Sequence, residues 1–420
     1  MLRAICILLV LSAASLAQTP LPELKGGRVV AGPGQYRHDG ELRVQGKVTL
    51  RHLDLDLRGP IRVASSSTFE LDDVHLTVSD PPGAQHGISG LDCEGPAKIV
   101  IRNSTMAPAG GAHPMWRVRG DLQVDNFQTV NSEFHLDHVT AALHQLKIFE
   151  LEISHASQVE GDGLELVFLS THSSDDDHLE FADVPADKPF SKRLALGSDA
   201  AADLTNARVE MFLLYVHGHA QAELSRMGRV QLAMFPECKG TLRLPQGHVG
   251  SDQQPVVVPE PSVSDCGFRF TLKDVNVDTW DVYAGGSADL TFLDSRIDEL
   301  NADDHAKITV RDSVIYADWL GTAGRAQLKI ENSTVGALSL AKERPDLATS
   351  EIHLGGQSHS VFSGVRFDCG IVAKDQATAE INDMTAPPKY VRQSGKAAVH
   401  VGHSGVKDNS KGSHTCRNFA

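Results

Sequence analysis

The side chains best able to bind a metal or move a proton crowd into one short stretch: His172, Asp175, Asp176, Asp177 and His178. Carboxylates suit a hard cation such as calcium, and added imidazole suits a transition metal. The same composition also builds an ordinary solvated turn. A second group runs Tyr215-Val-His217-Gly-His219-Ala-Gln221-Ala-Glu223. Alternation along a strand would put Tyr215, His217, His219, Gln221 and Glu223 on one face. His217 and His219 could then share a metal or line a sugar groove, or simply form a polar outer surface. The cofactor expectation is calcium or another divalent cation, or none. Aromatic residues make up only 5% of the chain, and Trp280 with Tyr283 and Tyr316 with Trp319 lie close in sequence. Such rings either stack on sugars or pack in a core.

The elements that must position these residues announce themselves as a repeat. Leu290-Thr-Phe-Leu-Asp294-Ser-Arg-Ile297 is followed eighteen residues on by Ile308-Thr-Val-Arg-Asp312-Ser-Val-Ile315. Twenty further on comes Leu328-Lys-Ile-Glu-Asn332-Ser-Thr-Val335, and twenty before the first stands Phe270-Thr-Leu-Lys-Asp274. Copies also start at Val48, Phe69, Ile99, Leu122, Ala202, Ser360, Ala379 and Val399, with weaker ones at Ala222 and Leu242. The first and third positions are apolar and share a strand face. The fifth is a corner, where Asp, Asn and Gly tolerate left-handed backbone angles. Nine copies carry Asp or Asn there: Asp73, Asn103, Asn126, Asn206, Asp274, Asp294, Asp312, Asn332 and Asp383. Stacked coils would align them as a structural ladder rather than as catalytic acids.

This pattern predicts an all-β parallel β-helix, a β-solenoid with coils of about 20 residues and loop insertions. Residues 1–17 read as a signal peptide, with Arg3, an apolar core from Ile5 to Leu11 and Ser15-Leu16-Ala17 before the cut. The expected divisions are a cap or linker over 18–40, coils over 41–150, an irregular insertion over 151–200, coils over 201–406 and a polar tail over 407–420. Prolines mark further excursions over 246–265 and 341–357, and His113–Trp116 reads as another loop. No stretch is apolar over the roughly 20 residues that span a bilayer, so a secreted location is expected: periplasmic, cell-surface or extracellular. A formal charge of −15 excludes nucleic acid as a favoured partner. Export permits disulfides, and Cys238 with Cys266 and Cys369 with Cys416 are the pairs expected, leaving Cys93 over.

On these residues the coil resembles that of the right-handed parallel β-helix proteins, the pectin-lyase-like superfamily. The resemblance covers most of residues 41–410 and implies fold more than activity. Polygalacturonases within it carry Asn-Thr-Asp, Asp-Asp, Gly-His-Gly and Arg-Ile-Lys in that order. This chain has Asp175-Asp176 and an inverted His217-Gly218-His219, and lacks the first and last motifs. No catalytic residue carries over. The expectation is therefore a scaffold or binding protein contacting polysaccharide or cell-envelope material. A polysaccharide lyase or glycoside hydrolase is the alternative.

Overall fold

The computed structural model describes residues 18–24, 26–80, 89–174, 176–185, 188–197, 199–236, 238–244, 269–336 and 351–402. The described residues form strands, turns and bends with no helix, and nearly all strand pairings are parallel. None of them forms a helix long and apolar enough to cross a membrane. The chain divides into two units, residues 1–135 with 139–149 and residues 136–138 with 150–420.

In the first unit, the apolar first positions of the repeat stand opposite one another. Val48 pairs with Phe69, Phe69 with Ile99, and Ile99 with Leu122. The stretch expected as a cap joins the same parallel register, with Arg28–Ala31 beside Val48–Arg51 and Gln35–Asp39 beside Asp54–Arg58. Trp116, Phe127 and Phe134 are fully buried, Trp116 lying parallel to Phe134 with ring centroids 5.1 Å apart. Trp116 therefore belongs to the core and not to an exposed loop. Each such ring contributes on the order of 1.5–3 kcal/mol through burial.

Glu133 in this unit bridges two imidazoles, His113 Nε2 at 2.6 Å and His135 Nε2 at 2.9 Å. The hydrogen bond from His135, helped by that from His113 and opposed by burial, holds its carboxyl below the usual carboxylate range. A depressed folded-state value means stability that is present at neutral pH and lost as acid titrates the carboxylate. Urea midpoints followed from neutral pH down through the carboxylate range are expected to fall less steeply in Glu133→Gln than in the wild type.

In the second unit, Leu290, Ile308, Leu328, Ser360, Ala379 and Val399 stand opposite one another in a seven-stranded parallel sheet. The expected coil length fails upstream of it. Ala202 pairs with Val159, 43 positions away, and Phe270 with Ala222, 48 positions away. Between these long steps Tyr215 pairs with Ala233, only 18 positions on, so long and short steps alternate there. Leu290 faces Gly240, so the weak copy placed at Leu242 is two residues out of register. The segment 151–200 is also more regular than expected. Gln158–Asp162, Glu165–His172 and His178–Val184 all pair in parallel 43 positions on. Only Phe190–Leu196 is antiparallel, to Ala201–His217 and to His178–Val184.

All nine Asp and Asn corner residues have φ between 47° and 57°. Corners hidden from the apolar pattern bend in the same way at Gly163 (φ 67°) and Asp183 (φ 53°), as does Arg226 (φ 50°), the corner of the weaker copy at Ala222. The small residue after the corner has its own task. Ser295 N–H donates to Ser313 Oγ at 2.9 Å, and Ser313 N–H donates to Ser333 Oγ at 3.1 Å. Each hydroxyl also donates to the carbonyl two residues back, 2.8 Å for Ser295, 2.6 Å for Ser313 and 2.7 Å for Ser333. Ser313→Ala strands the buried Ser295 N–H and is expected to cost about 1–3 kcal/mol in urea unfolding, whereas Ser333→Cys should cost less.

Cys238 is disulfide-bonded, to a partner outside the described residues. Cys369 is a buried free thiol pushed up to about 12 by desolvation, so the expected bond to Cys416 is not made. Cys93 is also free and buried.

Candidate functional site

The second unit carries one sheet whose inner side chains are fully buried, among them Leu214, Val216, Leu232, Met234, Trp280, Val282, Leu300, Leu320 and Ile352. Strand alternation then forces the intervening residues outward. Register joins them into two neighbouring rows. The first runs His172, Tyr215, Ala233, Asp281, Glu299. Further along the same sheet, Glu351 pairs with Gly370. The second row holds His217 beside Phe235 and Tyr283 beside Asn301, and continues through Gly321, His353, Val372 and Arg392.

Parallel strands about 4.8 Å apart bring rings on successive strands into stacking range. His172 and Tyr215 lie 4.1 Å apart at 9°, and His217 and Phe235 lie 4.5 Å apart at 9°. Phe235 meets Tyr283 at 5.8 Å, and His172 meets His217 at 5.9 Å. The rings mostly cover each other's faces and turn their edges to solvent. Tyr283, at the end of the column, is 48% exposed.

Carboxylates flank this column. Glu152 approaches His172 Nε2 at 3.7 Å, and Glu150 accepts a hydrogen bond from Ser170 Oγ at 2.7 Å. Asp281 accepts from Gln231 Nε2 at 3.1 Å and stands directly opposite Glu299. Farther along, Glu351 gathers Tyr390 Oη, Arg392 Nη1 at 3.4 Å and His353 Nε2 at 3.6 Å. The Arg392 guanidinium lies 4.6 Å from the centre of the Tyr390 ring. The bond to Glu351 raises the Tyr390 phenol above its ordinary range. The face thus offers ring edges, one open ring face, and both donors and acceptors for hydroxyl groups.

The expected sites are distributed unevenly over this geometry. His172 and His217 come together, and Tyr283 joins them. The acidic loop does not converge on them. Asp177 is buried, accepts the Ser174 N–H at 2.5 Å, and receives the Gln221 N–H on its carbonyl at 2.7 Å. It closes a turn and is not a free ligand. Asp176 is exposed with φ 64°, His178 opens the next strand opposite Gln221, and Asp175 lies outside the described residues. His219 sits exposed in a turn, which moves Gln221 and Glu223 onto another strand and breaks the expected five-residue row. Among the described residues no group of three His, Cys, Asp or Glu could hold a metal ion.

Two stacking expectations are corrected. Trp280 is 1% exposed and fills the core. Tyr316 is buried, with the Arg296 guanidinium 4.4 Å from its ring centre, so that face is occupied. The Trp319 side chain lies outside the described residues. Glu351, Tyr390 and Arg392 were missed, because nothing local marks them; only the strand register places Glu351 and Arg392 on the same sheet as His172, with Tyr390 just before the strand of Arg392.

The chain matches no family model, no curated protein and no solved structure.

Proposed function

We propose that this chain is an exported β-solenoid that binds a linear polysaccharide along the outward face running from Glu152 to Arg392. The almost exclusively parallel strand pairing of the repeat, together with its resemblance to the pectin-lyase-like coil, supports the solenoid. The observation that carries the binding role is the ring column ending at the exposed Tyr283, flanked by Asp281, Glu299 and Asn301. A sugar ring offers an apolar face for Tyr283 and hydroxyls for the neighbouring carboxylates. A polymer laid across the strands would meet a new pair of row residues about every 4.8 Å.

The register pairing of Asp281 with Glu299 supports a second reading, since two facing carboxylates are what a glycoside hydrolase needs. One experiment separates the two. Purified mature protein is titrated with acidic and neutral polysaccharides, with and without calcium, while reducing ends and ultraviolet-absorbing products are followed. Saturable binding without product supports the scaffold. Product release abolished by Glu299→Gln replaces it with the enzyme, and neither binding nor product on any polymer overturns both.

A further inference from the structure

The antiparallel strand Phe190–Leu196 creates a second concavity away from the ring column. It inserts between two parallel neighbours, so Gln158, Ala201, Ala195 and Glu180 align across four strands. The middle two positions are alanine, and the end positions carry long polar side chains. Ala182 extends the same small-residue floor. The result is a groove of about 620 Å³, within the size range of small-molecule sites.

It carries charges of both signs, of which Lys192 alone is committed among the described residues. Arg193, Lys192, Glu180 and Asp199 all line it, Glu180 at one end of the row and Asp199 beside Gln158 at the other. Lys192 is engaged with Asp183 at 3.5 Å, and Asp183 also pairs with Arg226. Among the described residues, Arg193, Glu180 and the Asp199 carboxylate enter no ion pair with one another or with any other group. Gln158 donates to the Asp199 carbonyl at 2.8 Å, which fixes the rim. Charges that share a groove without pairing can each be satisfied by a ligand carrying both signs.

We infer that this groove binds a small zwitterion, its carboxylate on Arg193 and its ammonium on Glu180. Both free amino acids and short peptides have that chemistry. The site is separate from the ring column and does not depend on the polysaccharide reading.

The test is calorimetric titration of the whole protein with L-alanine, L-alanyl-L-alanine, glucuronate and glucosamine. Either zwitterion is expected to bind at least tenfold more tightly than the singly charged probes, and comparing the two identifies amino acid or peptide. Arg193→Gln and Glu180→Gln should each weaken binding at least tenfold. Ala195→Leu, which fills the floor and keeps every charge, should abolish it. Circular dichroism checks that each variant is folded. Equal or tighter binding of glucuronate, binding that survives Ala195→Leu in folded protein, or no binding of either zwitterion overturns the assignment.

Discussion

Gly356→Val is expected to destabilise the second unit by more than about 3 kcal/mol. Gly356 lies in a second column of corners, formed by Gly286, Asp304, Gly324, Gly356, Asp375 and Gly395, with φ from 54° to 70°. Each corner binds the next through the backbone: Arg325 N–H to the Asp304 carbonyl at 2.6 Å, Gln357 N–H to Gly324 at 2.7 Å, Gln376 N–H to Gly356 at 2.9 Å. A Cβ at Gly356 would lie 2.6 Å from the Gly324 oxygen and 2.7 Å from its nitrogen. Two costs therefore add, the left-handed backbone of a branched residue and the separation of two stacked turns. Gly286 isolates the first cost, since it has φ 56° and a Cβ added there would meet nothing within 4 Å. Gly286→Ala should cost only about 1 kcal/mol. Urea unfolding of both variants measures the difference, and equal small shifts would show that the corners do not restrain each other.

The contrast between the two corner columns explains what could be read from the residues. The first column was legible because one backbone demand recurs beside an apolar pair. A left-handed angle between two strands selects Asp or Asn, as at Asp294, Asp312 and Asn332. The second column makes the same demand with a mixture of Gly and Asp, and its mark is a small buried residue two positions on, Ala288, Ala306, Ala326 or Ala377, which a search for large apolar pairs passes over. Register was legible only where the coil length is steady. From Leu290 to Ile308 to Leu328 the sequence spacing equals the stacking step. From Phe270 to Leu290 the spacing is also twenty, yet Phe270 stacks on Ala222 and Leu290 on Gly240. A step of twenty residues can climb one coil or travel part of a longer one, and apolar alternation is identical in both.

That ambiguity hid the candidate site. His172, Tyr215, Phe235 and Tyr283 are separated by 43, 20 and 48 positions, so no periodicity connects them. Trp280 looked like a partner of Tyr283 because the two are close in sequence, but an odd spacing on a strand sends them to opposite faces. The acidic loop misled for a different reason. A carboxylate that closes its own turn, as Asp177 does on the Ser174 N–H, is indistinguishable by composition from one that waits for a cation.

Tyr283→Ala is expected to weaken polysaccharide binding about tenfold, roughly 1.4 kcal/mol, the loss of one aromatic contact. Its ring is the open end of the column, so truncation removes ligand contact and disturbs only Phe235 behind it. Phe235→Ala acts differently. Phe235 stands between His217 at 4.5 Å and Tyr283 at 5.8 Å, so its removal frees both rings. Affinity should fall by a similar factor, although Phe235 presents little more than an edge. The double variant should then lose much less than the product of the single losses, because Tyr283 without its support already binds poorly. Tyr316→Phe is the control, since Arg296 covers that ring and affinity should not change. Calorimetric affinities and thermal midpoints for the four proteins decide the matter. If the midpoints fall while affinity holds, the rings serve only to brace the sheet, and the polymer must be sought on another face.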